Sequence, residues 1–393
     1  MNAGSNPLVA TVETLAPLIL GQREAADREG RLQTAVVEAF QAAGLVGVWA
    51  PRSLGGLEAT PRAGMEMIEA VARLDGSTAW NLFIWATVAP VFSFLSEAGI
   101  DEVFSGGGNV IGAGAQNPPG EAVVVEGGYR VSGRWPFASG SAHATWFTGG
   151  CLVTEGGSPR MTSAGGPEVR AVVFPAGDVQ IIDTWQVSGL RGTGSNDIAV
   201  QGLFVPEHRT FIFGGAAGRG RHFQGALYRF PLYGIIGTPL AMIALGIAQA
   251  AVDEFAASAS TRSPRGSASA LRESAVVQAE FAKATATIKS ARAWLLQSVD
   301  DIWRMAESGQ PIPTEDRIEL ALASTHATRG AAQAVDTIQS LAGAAAVYRS
   351  SGIERAFRDI HAATQHAITG RRNFEGAGRV LLGLPPDSPL LLV

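Results

Sequence analysis

The sequence has 393 residues, 46% of them hydrophobic, which is enough to bury a large core divided among two or three packed domains. A formal net charge of −5 without a basic face argues against nucleic acid as a partner. The one cysteine, Cys151, excludes an internal disulfide framework and favours a reducing, cytoplasmic location. Residues 1–20 show no basic start followed by an apolar run, so no signal peptide is predicted.

The first zone, residues 1–105, has the apolar spacing of helices. One helical pattern includes Val36 and Phe40, and a second covers Ala63–Leu74. A third runs from Ala79 to Leu95 and is apolar nearly all round, which predicts a buried helix. We therefore expect an N-terminal helical domain.

The second zone, residues 106–225, is rich in glycine and alternates strand patterns with turns. A turn at Glu126-Gly127-Gly128 separates two apolar runs and predicts a hairpin. Further strands are predicted over Thr145–Val153, Val169–Phe174, Val179–Thr184 and Ile198–Val205. Short strands at this spacing are typical of a β-barrel or a β-sandwich.

The third zone, residues 226–393, returns to helical patterns. The predicted helices are Ile235–Ser260, Leu271–Ser308, Glu315–Ala345 and a shorter one from Gly352 to about Gly370. Helices of this length with short connections predict a C-terminal four-helix bundle. The fold class is therefore α+β, mainly α, in the order helical domain, β domain, helix bundle.

One apolar stretch, Tyr233–Val252, has about the length of a membrane span. It is rich in glycine and alanine and contains Pro239 and Gln249. A helix buried inside the bundle is the favoured interpretation, so no membrane partner is expected.

Four motifs occur in the order in which the acyl-CoA dehydrogenase fold places similar segments. They are Asp75–Trp80, Gly133–Gly140, Gly189–Asp197 and Gln339–Gly343. The chain resembles that family over nearly its whole length. Each motif alone is weak evidence, but their common order makes the resemblance specific.

Within that fold the chain most resembles the two-component flavin-dependent monooxygenases. The resemblance lies in the residues of three segments, Trp135–Gly140, Gly189–Asp197 and Val205–Arg209. The resemblance implies that reduced flavin, as FADH2 or FMNH2, comes from a separate reductase. It also implies that O2 adds to C4a of the flavin as a peroxide and that a small aromatic or heteroatom-containing substrate is oxygenated. A homo-oligomer, a dimer or more often a tetramer, is implied as well.

The resemblance also assigns candidate site residues. His366 and Ser139 are the implied catalytic residues, His366 as a proton or hydrogen-bond donor or as a positioning group, and Ser139 beside flavin N5 or the peroxide. The implied flavin-binding residues are Gln116, Asn117, Trp135, Phe137, Ser139, Arg262, Gln339, Gly343 and Thr369. Plainer roles stay open: helix packing for His366, a turn hydroxyl for Ser139, β-domain core for Trp135 and Phe137, and a solvated loop charge for Arg262.

The position of a catalytic glutamate argues against dehydrogenation of acyl thioesters. That reaction needs a carboxylate to remove a proton from carbon, and the family position for it holds Ala367 here. A second family position lies in Tyr228–Ile236, which contains no acid. Some relatives carry a further histidine on the helix after Asp75, and Trp80–Pro90 has none.

Two alternatives remain open beside the monooxygenase. One is a flavin dehydrogenase or oxidase with a displaced base such as Glu375, and the other is a non-catalytic member of the fold. The glycine runs do not form a dinucleotide-binding fingerprint or a P-loop. His361 and His366 lie five residues apart and do not share a helix face, so no metal site is predicted.

Overall fold

The structure is a computed structural model that describes residues 6–163, 165–214, 220–263 and 269–386. A helical N-terminal part, a β-sheet and a second helical part follow one another along the chain. The N-terminal helices are α1 (Pro7–Glu29), α2 (Thr34–Ala42), α3 (Pro61–Leu74), α4 (Gly76–Ala86), α5 (Val88–Phe92) and α6 (Glu97–Val103).

The segment Ala79–Leu95, predicted as one helix, is two helices that separate at Thr87. The Thr87 side chain donates a hydrogen bond to the carbonyl of Ile84 (2.8 Å) and closes α4. Pro90 lies in the first turn of α5, where its missing N–H costs no helical hydrogen bond. The prediction of burial is correct, because Ile84 is the one side chain of α4 that keeps partial exposure.

The described strands form one sheet with the order β6-β7-β2-β1-β3-β5-β8, and β4 pairs with β3. They are β1 (Gly112–Val125), β2 (Gly128–Ala138), β3 (Trp146–Glu155), β4 (Ser158–Pro159), β5 (Val169–Pro175), β6 (Gln180–Ile182), β7 (Asn196–Pro206) and β8 (Thr210–Phe211). The predicted hairpin is present as the antiparallel pair β1–β2, whereas β1 and β3 run parallel. The sheet carries a core of its own that is separate from the main helical core.

The C-terminal helices are α7 (Leu232–Ala259), α8 (Ala275–Ser308), α9 (Thr314–Ala342), α10 (Gly352–Ala363) and α11 (Arg372–Leu381). α7 is long and apolar enough to cross a membrane by length and composition, but most of its apolar window is buried within the protein. It packs against both α3 and α9, as a central bundle helix does.

The end of α10 differs from the prediction. The helix stops at Ala363 instead of continuing to about Gly370. His366 has an extended backbone and begins a single turn over Ala367–Thr369. Its ring nitrogen Nδ1 accepts a hydrogen bond from the backbone N–H of Ile368 (3.3 Å) and caps that turn. His366 therefore lies in a turn, not on a helix.

A buried pair of carboxyl groups joins the three parts of the chain. Asp75 caps α4 by accepting hydrogen bonds from the backbone N–H (2.8 Å) and the hydroxyl (2.7 Å) of Thr78. Asp359, on α10, accepts one from the backbone N–H of Leu190 in the loop before β7 (2.6 Å). Arg355 lies 3.7 Å from Asp75, and both carboxyl groups are almost inaccessible to solvent.

The second oxygen of Asp359 lies against the first turn of α4. A Cβ placed on Gly76 would approach it to 3.3 Å. A Cβ on Gly189 would lie 2.0 Å from the carbonyl oxygen of Arg358, so the loop before β7 packs directly on the backbone of α10. One carboxyl group thus contacts the helical domain and the β domain from the bundle.

The Asp359 carboxyl predicts a pH-dependent stability. Burial, and secondarily the neighbouring Asp75, raises the pKa of Asp359 to about 7, against the opposing effects of the Leu190 N–H, Arg358 and Arg355. The folded protein therefore binds a proton that the unfolded chain releases near pH 4, and this stabilisation is lost as the pH rises through about 7. We expect Asp359→Asn to remove that loss, which amounts to at most about 4 kcal/mol.

The measurement is the melting temperature of the wild type and of Asp359→Asn between pH 4.5 and 8. We expect the melting temperature of Asp359→Asn, relative to that of the wild type, to increase as the pH rises. Asp253→Asn, at a half-exposed surface ion pair with Arg73, is the matched control and should show no such trend. A constant difference between wild type and Asp359→Asn across this range would contradict the prediction.

Candidate active site

The site begins with Trp80 on the buried helix α4. Its indole N–H donates a hydrogen bond to the hydroxyl of Ser139 (3.1 Å), at the end of β2. Its ring meets the ring of His366 edge-on, with centroids 5.7 Å apart and an angle of 66° between the planes. One side chain of the helical domain thus contacts both candidate catalytic residues, one from the β domain and one from the bundle.

A bulge in β2 aims Ser139 at this junction. The register with β7 shifts between Trp135 and Ala138, and Phe137 has a left-handed backbone (φ 64°). The backbone N–H of Gly140 then donates to the carbonyl of Thr193 (2.8 Å). The bulge turns the ring of Phe137 outward, where it is 65% exposed, and keeps Ser139 buried.

Two further hydroxyl groups continue from Ser139. Its oxygen lies 2.7 Å from the hydroxyl of Ser195, which in turn lies 2.7 Å from the hydroxyl of Thr193. Thr193 donates to the carbonyl of Leu190 (2.8 Å), the residue whose N–H is held by Asp359. A continuous row of hydrogen bonds therefore runs from the buried carboxyl to Trp80.

The electrostatic state of His366 follows from its surroundings. Burial lowers its pKa to about 4, so the ring is neutral at neutral pH. Nδ1 accepts from Ile368, which places the proton of the neutral ring on Nε2. His366 is thus suited to donate a hydrogen bond, and it is poorly suited to act as a cation or as a strong base.

The structure places Trp135 in the interior of the β domain. Its side chain is fully buried and donates to the carbonyl of Gly150 (2.8 Å). A Cβ on Gly133 or Gly149 would lie 2.5 Å from its ring, so this indole fills the space that these glycines leave open. Trp135 belongs to the β-domain core, which is the plainer role left open for it, and none of its surface is accessible. Its contact with the flavin stays a prediction.

Phe137 is placed differently from Trp135. Its exposed ring meets the ring of Trp185 edge-on, with centroids 6.1 Å apart. On β1, Gln116 is half-buried and Asn117 is exposed. The side-chain amide of Gln116 donates a long hydrogen bond to the hydroxyl of Thr148 (3.4 Å). These three side chains remain accessible to a planar ligand beside the sheet.

Thr369 supplies a buried hydroxyl. The oxygen is inaccessible to solvent and has no hydrogen-bond partner among the described residues. A buried hydroxyl without a partner costs free energy unless a ligand or water supplies one. Its position three residues after His366 fits the predicted role as a ligand-binding group.

The remaining candidates lie together at the end of α9. The guanidinium of Arg262 donates to the carbonyl of Ala342 (2.7 Å), next to Gly343 and one turn from Gln339. Gly343 has a positive φ of 59° and no atom near its missing side chain. An arginine beside an open backbone turn suits a phosphate group.

Trp80, Ser195 and Thr193 belong to the site in the structure but were not predicted from the sequence, although all three lie in motifs that carry the family resemblance. A signal for the two hydroxyl residues was available, because Thr193 and Ser195 alternate with Gly192 and Gly194 in a loop. Polar side chains in a tight glycine-rich loop are often turned inward to satisfy one another.

The comparisons with known proteins point to one family. The family model described as acyl-CoA dehydrogenase, C-terminal domain, matches residues 239–371. The chain is 34% identical over 364 residues to the indole-3-acetate monooxygenase of Pseudomonas putida, covering 92% of this chain and 90% of that one.

Solved structures give the same result. The 3-HSA hydroxylase from Rhodococcus sp. RHA1 has a TM-score of 0.90 at 26% identity, covering 98% of both chains. XiaF from Streptomyces sp., in complex with FADH2 and glycerol, also has a TM-score of 0.90 at 26% identity, covering 98% of this chain and 96% of that one.

The chain belongs to the flavin-dependent monooxygenases with the acyl-CoA dehydrogenase fold. This monooxygenase uses reduced flavin and O2 to oxygenate a small organic substrate. The predicted fold class, enzyme class and cosubstrates are thereby confirmed. The free hydroxyl of Thr369, the hydroxyl of Ser139 and the exposed ring of Phe137 fit a flavin ring with polar and aromatic contacts.

The geometry also disfavours the alternative of a displaced base in a dehydrogenase. Glu375 is exposed in the first turn of α11, whereas His366 lies on the side of its turn that faces Trp80. Ala367, at the position of the family's glutamate, is exposed and carries no acid. The neutral ring of His366 can donate a hydrogen bond, whereas neither family position for the carboxylate that removes a proton from carbon holds an acid.

The neutral N–H of His366 predicts how the variants of this monooxygenase behave. We expect His366→Ala to lower substrate oxidation per reduced flavin by at least about tenfold and to raise H2O2 release, because a hydrogen-bond donor of the site is lost. His366→Gln keeps an N–H donor and should recover part of the coupling. The coupling of the wild type should not fall between pH 8 and about pH 5, since His366 titrates only near 4.

The measurement is product and H2O2 per reduced flavin consumed, across that pH range. His361→Ala is the matched control, since His361 lies on the same segment but is half-exposed and paired with Asp336 (2.8 Å). Equal coupling in His366→Ala and the wild type would remove His366 from the mechanism.

Proposed function

We propose that this monooxygenase oxygenates an aromatic substrate of the indole type in the space beside Trp80 and His366. The observation that carries this assignment is the meeting of Trp80, Ser139 and His366 from three parts of the chain, with no carboxylate of the described residues hydrogen-bonded to them. The relative from Pseudomonas putida that is 34% identical is named for oxidation of indole-3-acetate.

Apolar side chains lie on the elements that carry Trp80 and His366 and on the neighbouring α7. Ile84, the one partly open side chain of α4, lies one helical turn after Trp80 and so on the same face. Ile368, in the His366 turn, packs close to α7, where a Cβ on Gly237 would approach it to 3.1 Å. Ile236 is partly open next to that contact. An apolar, bicyclic ring suits contact with such side chains.

The roles of the residues follow from their states. Reduced flavin, when bound, supplies the electrons with which one oxygen atom of O2 enters the substrate and the other leaves as water. His366 would hold its Nε2 proton as a hydrogen-bond donor toward the reacting oxygen, and Ser139 and Thr369 would orient the flavin ring. Trp80 and Ile84 would keep water from the reacting atoms, which limits unproductive release of peroxide.

Cofactor binding extends to a second group of residues in this proposal. Arg262, Gln339 and Gly343 would hold the phosphate-bearing part of the flavin, and Gln116, Asn117 and Phe137 would border its ring. The guanidinium of Arg262 at the end of α9 supports the first assignment, and the exposure of Phe137 supports the second. A separate flavin reductase would supply the reduced flavin, in the cytoplasm.

Oxygenation is tested directly with reduced flavin generated by a reductase, ¹⁸O2 and a panel of indole-3-acetate, indole, a phenol and an acyl-CoA. We expect one ¹⁸O atom in the product from an indole, because one atom of O2 enters the ring. The protein with oxidised flavin and the acyl-CoA is the control and should show no bleaching of the flavin. Label in a phenol product alone would exclude the indole assignment, and rapid bleaching by the acyl-CoA would exclude the monooxygenase site described above.

We also propose a homo-oligomer, a tetramer in the first instance. Large apolar side chains stay exposed on the bundle side of the single chain: Val276, Val347, Tyr348, Leu381 and Leu382. Exposed apolar groups in this number favour burial against another copy of the chain. We expect sedimentation equilibrium to give four times the chain mass, and Tyr348→Glu to lower it. A single-chain mass for the wild type would refute the proposal.

A further inference from the structure

The row of hydroxyl groups beside the site has a fixed direction. Thr193 gives its one hydroxyl hydrogen to the carbonyl of Leu190 (2.8 Å), which can only accept. The contact between Thr193 and Ser195 (2.7 Å) must therefore use the hydrogen of Ser195. By the same reasoning, the contact between Ser195 and Ser139 (2.7 Å) must use the hydrogen of Ser139.

The other end of the row is fixed as well. The indole N–H of Trp80 is a donor only, so Ser139 accepts from it (3.1 Å). Ser139 thus gives its hydrogen to Ser195, takes one from Trp80 and keeps one lone pair free. All these side chains are buried, so water cannot readily replace a broken link. Ser139 can accept one more hydrogen bond, but it can donate none without breaking the row.

The two redox states of flavin differ at the atom that this lone pair would meet. N5 of reduced flavin carries a hydrogen and donates, whereas N5 of oxidised flavin carries a bare lone pair and accepts. An acceptor-only hydroxyl bonds to the first and leaves the second facing another lone pair. A buried acceptor without a donor is costly, so the difference appears as affinity.

We propose that Ser195 and Thr193 are positioning residues that fix the polarity of the Ser139 hydroxyl and thereby make the site select reduced over oxidised flavin. The inference rests on the proposed function in one respect, the placement of Ser139 at flavin N5. It adds a physical reason why reduced flavin binds and oxidised flavin leaves. Reoxidation removes the N5 hydrogen that Ser139 accepts, and the affinity for the flavin falls.

The anchor of the row is rigid. Leu190 has a left-handed backbone (φ 52°), and its N–H is held by Asp359 (2.6 Å). Its carbonyl accepts from Thr193 and also from the indole N–H of Trp185 (3.1 Å). With this carbonyl fixed, a Thr193 hydroxyl that turned to donate to Ser195 would leave two oxygen atoms 2.8 Å apart with no hydrogen between them. The direction of the row is therefore favoured over its reverse.

The experiment measures the dissociation constants of oxidised and of reduced FMN and FAD under anaerobic conditions, together with the midpoint potential of the bound flavin. The wild type should bind reduced flavin more tightly. In Ser195→Ala the Ser139 hydroxyl is free to turn and donate to oxidised N5. We expect the dissociation constant of oxidised flavin divided by that of reduced flavin to fall by about tenfold. The midpoint potential of the bound flavin should then fall by about 30 mV.

Thr193→Val tests the same inference with a side chain of equal shape, since it removes the acceptor of Ser195 and should lower the ratio in the same direction. Ser195→Thr keeps the hydroxyl and should restore the ratio. Ser298→Ala is the matched control, because Ser298 is buried and donates only to the carbonyl of Trp294 in its own helix (3.1 Å). It should bind both flavins as the wild type does.

The outcomes separate the inference from the proposed site. If Ser139→Ala leaves the affinity for reduced flavin unchanged, flavin N5 is not at Ser139 and the proposed site is wrong. If Ser139→Ala weakens that affinity but Ser195→Ala and Thr193→Val keep the wild-type ratio, only the inference on polarity is overturned. A lowered ratio in both variants, with restoration in Ser195→Thr, supports it.

Discussion

The buried contact of Asp359 with Leu190 and with the first turn of α4 is the constraint on which the site depends. Asp359 brings the bundle, the β domain and the helical domain to one point, and Asp75 and Arg355 complete its surroundings. Removing the acceptor oxygen of Asp359 would leave the buried N–H of Leu190 without a partner, which typically costs about 1 to 3 kcal/mol. A contact this costly to break is suited to hold three domains in one arrangement.

The candidate active site is connected to this buried contact by hydrogen bonds. Leu190, held by Asp359, anchors the hydroxyl row that ends at Ser139, and Trp80 lies one turn into the helix that Asp75 caps. His366 follows Asp359 along the chain by seven residues and meets the ring of Trp80. The domain junction and the candidate active site therefore share one row of hydrogen bonds.

Particular residues show where sequence reasoning succeeded and where it could not. The hairpin at Gly127 and the buried character of α4 followed from local composition, and the structure has both. The end of α10 at Ala363 did not follow, since no proline or glycine marks it and the turn is closed by the His366 ring. Trp135 resembled a flavin contact, but neighbouring glycines draw its ring into the β-domain core.

The sequence by itself determined the order of the three parts, the family and the absence of a carboxylate at Ala367, because these depend on residue identity and local pattern. The tertiary structure decided which groups meet and in which state. Trp80, Ser139 and His366 are far apart in the chain, and only the fold brings them together. The low pKa of His366 and the direction of the hydroxyl row depend on burial and on the Leu190 carbonyl, which no local pattern of residues encodes.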